Sequence, residues 1–191
     1  MFGGKDNHFA IELYLDVKFI KDSKIYLAIN KKAESLLKHF FVPLTQAIFG
    51  ITSTCKDITG ASFNPSSSNT FVISTGEGNT YIVLSNNTAD QTLSFDDYKI
   101  QYPLGNLTVQ PGFPRYTLEG GVNDMQVRIR DKWVYSGSDT SITASALYYK
   151  TVYDVNGYAH QVMFAKDVFN PALELRQNSL IDWSYIIKIS L

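Results

Sequence analysis

Hydrophobic and polar residues alternate with a period of two at the start of the chain. Phe9, Ile11, Leu13, Leu15, Val17 and Phe19 interleave with Ala10, Glu12, Tyr14, Asp16 and Lys18. On an extended backbone this puts the apolar set on one face and the polar set on the other. Lys21-Asp22-Ser23-Lys24 supplies turn chemistry before Ile25, Leu27 and Ile29 resume the alternation, so residues 9–29 predict a β-hairpin. The period then lengthens. Ala33, Leu36, Leu37, Phe40, Phe41, Leu44 and Ile48 recur at threes and fours, the apolar stripe of a helix, with Lys31, Lys32, Glu34, Ser35, Lys38 and His39 on the other side. Asn30 is the expected N-cap and Gly50 the expected left-handed residue past the end. Pro43 removes one backbone donor and should kink or split the helix near Val42.

From Thr59 to Thr70, eight of twelve positions are Ser, Thr or Asn, a loop composition that divides the chain. After it come short apolar runs separated by turn residues, at 71–74, 81–85, 107–110, 115–118, 125–134, 141–149, 158–165 and 181–191. The last is the clearest, with Ile181, Trp183, Tyr185, Ile187, Ile189 and Leu191 in strict alternation. Strands at this spacing without crossover helices predict a mainly β protein. The expected architecture is a jelly-roll-like or Ig-like β-sandwich over 71–191, a polar linker at 52–70, and an N-terminal hairpin plus amphipathic helix at 1–51 serving as a docking element.

Composition narrows the function. The 191 residues are 45% hydrophobic and 14% aromatic, enough for a core without crosslinks, and 18% charged with a formal net charge of −1. Such a balance excludes a disordered chain and gives no polybasic footprint for direct nucleic-acid binding. Cys55 is the single cysteine, so an intrachain disulfide and a thiolate metal site are excluded. No apolar run reaches the ~20 residues of a membrane-spanning helix. Met1-Phe2-Gly3-Gly4-Lys5-Asp6 lacks the charged-then-apolar order of a signal peptide, and none is expected.

Candidate chemistry is sparse. His8, His39 and His160 share no ligand spacing, and a metal or cofactor site is not expected. Asp154-Val155-Asn156-Gly157 lacks the further carboxylates of a calcium loop and reads as a hairpin turn with Gly157 at positive φ. Gly76-Glu77-Gly78 precedes no helix that could present amides to a phosphate. Asp96 and Asp97 are adjacent and would face opposite sides of a strand. No nucleophile, base and orienting group fall into one pattern, so an enzyme is not expected. Asn86-Asn87-Thr88 and Asn106-Leu107-Thr108 match the N-glycosylation acceptor and mark Asn86 and Asn106 as exposed loop positions.

Aromatic residues are the surplus feature, and Tyr and Trp are enriched at subunit interfaces. Tyr148 and Tyr149 must point to opposite faces of a strand, so one ring leaves the core unless a second layer covers it. The expected contact surface comprises Leu36, Leu37, Phe40, Phe41, Leu44 and Ile48 of the helix stripe with Trp133, Tyr135, Tyr148 and Tyr149.

Several segments resemble small virion structural proteins of archaeal viruses and tailed phages. The stretch 32–41, with Lys32-Ala33-Glu34-Ser35-Leu36-Leu37, is similar to the start of that family's helix. Thr54-Cys55-Lys56-Asp57-Ile58-Thr59-Gly60 is similar to its threonine–aspartate–glycine loop. Tyr81-Ile82-Val83-Leu84 followed by Ser94-Phe95-Asp96-Asp97-Tyr98 resembles a strand and turn of the family, and 141–149, 163–171 and 181–191 resemble its three closing strands. The resemblance implies a virion protein: a capsid, decoration or tail/nozzle subunit that contacts copies of itself and other virion proteins. The rival expectation is a carbohydrate-binding host-adhesion domain that holds a host glycan on exposed Tyr and Trp.

Overall fold

The computed structural model describes residues 10–33, 36–67, 79–110, 116–121 and 124–190. They form a mainly β, antiparallel sandwich with one α-helix. Its larger sheet begins with the predicted hairpin, β1 (Ala10–Lys21) and β2 (Lys24–Lys32). Asp22 and Ser23 both take positive φ (51° and 62°), the two-residue turn whose twist suits tightly paired strands. Strand β1 pairs β11 (Leu180–Ser190) from Ala10 opposite Ser190 to Ile20 opposite Leu180. Strand β11 in turn pairs β8 (Asp124–Tyr135), whose far edge carries β7 (Tyr116–Gly120) along its first half and β6 (Leu107–Val109) at its end. The hairpin grouped by sequence with the helix is thus the border of the main sheet.

Period-two alternation does what it predicts in this sheet. Leu13, Leu15, Val17 and Phe19, Ile181, Trp183, Tyr185 and Ile187, and Val127, Ile129, Trp133 and Tyr135 all enter the core. A register shift changes β2: Phe19 faces Leu27 but Ile20 faces Ile25, so Tyr26 is the extra residue. Ile25 consequently turns to solvent, while Leu27 and Ile29 pack on the core as expected. The Tyr26 hydroxyl hydrogen-bonds Ser179 Oγ (2.8 Å) and accepts the Arg176 amide (3.0 Å).

The smaller sheet has the order β10 (Ala159–Leu175), β9 (Thr140–Tyr153), β5 (Thr80–Ser85). Residues 142–149 are buried without a break. Such a run lacks alternation because both faces of the strand are covered. The inner face meets the larger sheet. The outer face, that of Ala144, Ala146 and Tyr148, lies under Leu37, Ile58 and the loop around Ile100, while α1 (Lys38–Phe49), through Phe40 and Val42, and the small hairpin of β3 (Cys55–Lys56) and β4 (Ser62–Phe63) pack with Tyr149, Val162 and Phe164. Strand β10 outruns its predicted end: pairing stops after Val168 opposite Ala144 and resumes at Leu173 opposite Ile142, with residues 169–172 set against Thr143.

Helix α1 begins later than predicted. Asn30 is no N-cap: it lies within β2 opposite Asp16, and Leu37 holds the N-cap position. Residues before Lys38 are taken by strand-like pairing, with the Ala33 amide on Leu13 O, Leu36 bridged to Ala165, and the Leu37 amide on Phe164 O. Those bonds fix an extended backbone where the apolar spacing alone reads as helix. Gly50 ends α1 as expected, at φ 66° with its amide on Gln46 O. One helix runs through Pro43 without being split.

The sheets are joined at their edges by polar groups. Asp131, on the inner face of β8, accepts the amide of Ile82 on edge strand β5 (3.0 Å). Tyr116 OH receives the Thr80 amide (3.2 Å), and the Leu104 amide reaches Leu84 O (2.7 Å). These bonds satisfy an edge that would otherwise be open to pairing. The turn at Asp154-Val155-Asn156-Gly157 forms as expected, with Gly157 at φ 85°. Residues 71–74 and Gly76-Glu77-Gly78 lie outside the described residues.

Candidate interaction surfaces

The ten residues expected to form contacts divide sharply. Leu37, Phe40, Trp133, Tyr135, Tyr148 and Tyr149 are buried within this chain. Tyr148 and Tyr149 do point to opposite faces, and the outer layer covers the one that the sandwich does not. Tyr148 lies with Leu37, Ile100 and Met163, while Tyr149 stacks on Phe164 (5.2 Å between centroids, 6°). These six rings and side chains are enclosed and present no contact surface. Leu36 and Leu44 are half-buried, and the side chain of Ile48 lies outside the described residues.

Phe41 is different. The buried side of α1 consists of His39, Phe40, Val42, Pro43 and Gln46, a mixed polar and apolar face. Phe41 (36% exposed) stands on the opposite side, and Phe49 (69%), two turns on at the helix end, is exposed at the flank. Phe95 (56%) extends the patch, its ring 6.4 Å from that of Phe41. Ile51 is exposed just past the helix. Two ion pairs tie the loop carrying Phe95 in place: Lys38 to Asp96 (3.1 Å) and the buried Lys166 to Asp97 (2.9 Å).

A second surface lies farther along the same outer layer. Ile58, Tyr81, Val83, Ile100, Pro103 and Tyr148 line an apolar groove of about 240 Å³ with Lys99 at its margin. Its floor is fixed. Tyr81 stacks on Tyr148 (5.1 Å, 12°), Tyr148 OH accepts the Ile100 amide (2.5 Å), and Tyr81 OH donates to Gln161 Oε1 (3.2 Å).

Two polar clusters stand apart from these surfaces. His160 is gripped between Asp57 (Nδ1 to Oδ2, 3.1 Å) and Asp154 (Nε2 to Oδ2, 3.6 Å), with Phe63 stacked on its ring at 3.9 Å. The carboxylates hold opposite nitrogens and so clamp the ring instead of converging on one point, which a metal would require. Burial pushes both carboxyl groups up. Hydrogen bonds outweigh it and hold each below the ordinary range: Thr59, His160 and Ala61 for Asp57, and Tyr158, Asn156 and His160 for Asp154. This clamp pins the β3–β4 hairpin to β10. On the outer face of the large sheet, Arg128 pairs Asp16 (2.9 Å), and Asp182 takes Arg130 (Nε, 2.7 Å) and Lys132 (3.6 Å), around a groove of about 320 Å³. Cys55 is buried, and burial pushes its thiol up to about 12, which leaves it without thiolate reactivity. Asn86 and Asn106 are both exposed.

Sequence reasoning missed the clamp because its members are 103 residues apart, and missed the groove because its lining comes from four separate segments. No family model, curated protein or solved structure matches the chain. No helix among the described residues is long and apolar enough to cross a membrane.

Proposed function

We propose that this protein is a structural subunit of a virus particle, a capsid, decoration or tail component that works through repeated contacts with its own copies and other virion proteins. The observation that carries this reading is the orientation of α1. The helix turns His39 and Gln46 inward and holds Phe41 and Phe49 outward. Folding alone favours the reverse arrangement, and contiguous exposed apolar surface of this kind marks a site of contact between proteins. The closed edge of β5 and the lysines of β2 fit the same role, because a subunit present in many copies must avoid unplanned strand pairing.

Light scattering on the full chain tests the reading. The unaltered protein should run as a defined oligomer, and Phe41→Ser with Phe49→Ser should shift it toward monomer while its circular dichroism stays unchanged. A monomer that is retained on a glycan array would replace this reading with the host-adhesion one.

A further inference from the structure

Two charged side chains point into the space between the sheets. Lys31 stands opposite Leu15 and continues the inward row of Leu27 and Ile29 on β2. Asp167 stands opposite Ser145 on β10. Both face the larger sheet, where the Tyr185 hydroxyl bonds Ser145 Oγ (2.7 Å) and reaches the Asp167 carboxylate. Lys31 Nζ lies 3.9 Å from Asp167 Oδ1 and 5.1 Å from the centre of the Phe169 ring. The Asp167 side chain is fully buried, and that of Lys31 is 33% exposed at the seam between β2 and β10.

The neighbouring pair on β10 differs. Lys166 meets Asp97 at 2.9 Å on the other face of the strand, but Asp97 keeps 23% of its side chain in water and its Oδ2 also accepts the Ser94 amide (3.1 Å). Asp167 is shut away from water. Taking both charges of an ion pair out of water is costly, and an uncharged product relieves that cost.

We propose that Lys31 and Asp167 condense into an intramolecular isopeptide bond that joins the two sheets covalently. A proton passes from Nζ to the carboxylate, leaving an amine beside a carboxylic acid. The flexible lysine stem closes the remaining gap to the ~3–3.5 Å of a near-attack arrangement. The Nζ lone pair attacks Cγ, and the oxygen that gains charge takes a hydrogen bond from Tyr185. Burial, and after it the Asp167 charge, push the pKa of Tyr185 well above the ordinary tyrosine value, so its hydroxyl keeps the proton it donates. A proton then moves from the nitrogen to the leaving hydroxyl, the C–O bond breaks, and one water departs through the exposed seam. Ammonium and carboxylate become amide and water, with no oxidant or co-reactant. Cys55 is the single cysteine, so no intrachain disulfide can do this work. A link between positions so far apart removes loop entropy from the unfolded chain.

Intact mass spectrometry of the full chain tests the bond. The purified protein should weigh one water less than its residues sum to, and a proteolytic digest should contain the Lys31 and Asp167 peptides joined. Lys31→Arg keeps the charge but cannot form this link, and should show the full mass. Tyr185→Phe should accumulate the linked form about a hundredfold more slowly. A wild-type chain that keeps its full mass after prolonged incubation would overturn the proposal. So would a water loss that persists in Lys31→Arg, or one that maps to Lys166 and Asp97. Linkage at the wild-type rate in Tyr185→Phe would overturn the part given to that hydroxyl. The digest locates the bond in the unaltered protein, so a variant that fails to fold leaves the test intact.

Discussion

The six-stranded sheet has one dry face and one charged face, whereas the three-stranded sheet is dry on both. In β1 the inward Leu13, Leu15, Val17 and Phe19 alternate with Glu12, Tyr14, Asp16 and Lys18, none of which is buried. In β9 the residues from 142 to 149 are all buried and no such rhythm exists. The difference shows what each pattern encodes. Alternation reports a sheet with water on one side, and an unbroken buried run reports a middle layer. Small residues confirm the second case: Ala144 and Ala146 are fully buried beneath the outer layer, and Ser145 lies opposite them, its hydroxyl bonded to Tyr185 OH (2.7 Å).

The largest expected effect lies between the two sheets. Trp183 is fully buried against Phe19 (6.2 Å) and Phe169 (5.7 Å), so Trp183→Ala should cost about 3–5 kcal/mol in denaturant unfolding. A loss below about 1 kcal/mol would mean that the sheets are not packed as described. Next comes the middle layer. Ala146→Leu should destabilise by about 1–3 kcal/mol because neither side of β9 has room for the added atoms. A neutral result would make β9 a one-sided strand. On the charged face, Arg130→Ala removes a partly exposed pair with Asp182 and should cost only about 1 kcal/mol or less, and added salt should blunt it.

The smallest effect is a change in pH dependence. His39, in the first turn of α1, is buried, and its Nδ1 accepts the Lys56 amide (3.2 Å). Burial holds its pKa below the ordinary histidine value, with Lys38 and Lys56 on one side and Asp96 on the other. The unfolded chain therefore takes up this proton first as pH falls. The stabilisation is complete above the unfolded pKa of ~6.5 and is lost as pH drops below it. Tm should be lower at pH 5 than at pH 7, and His39→Gln should reduce that difference. An unchanged difference would remove His39 as its source.

The same comparison explains what was legible in the sequence. Strand β1 was readable because water on one face imposes a period, and β11 because its inward Ile181, Trp183, Tyr185 and Ile187 recur every second residue. Strand β9 was recognisable as a strand from its composition, but no local pattern says which layers enclose it, so Tyr148 and Tyr149 read as surplus rings. The start of α1 was misplaced because Leu36 and Leu37 fit a helical stripe equally well. Only their pairing with Ala165 and Phe164, more than 120 residues away, decides the matter. Phe41 was legible as apolar and as a contact residue. Its outward direction depends on which side of α1 the middle layer receives, and that is a tertiary property. The His160 clamp and the Tyr81 groove are also made by distant segments, and no spacing could have announced them.

Sedimentation equilibrium of the full chain over a range of concentrations tests the central claim most directly. Self-contact through α1 predicts a mass that is a multiple of 21.5 kDa and falls toward that value in the Phe41→Ser, Phe49→Ser variant. A single mass of 21.5 kDa for the unaltered protein at every concentration would contradict it.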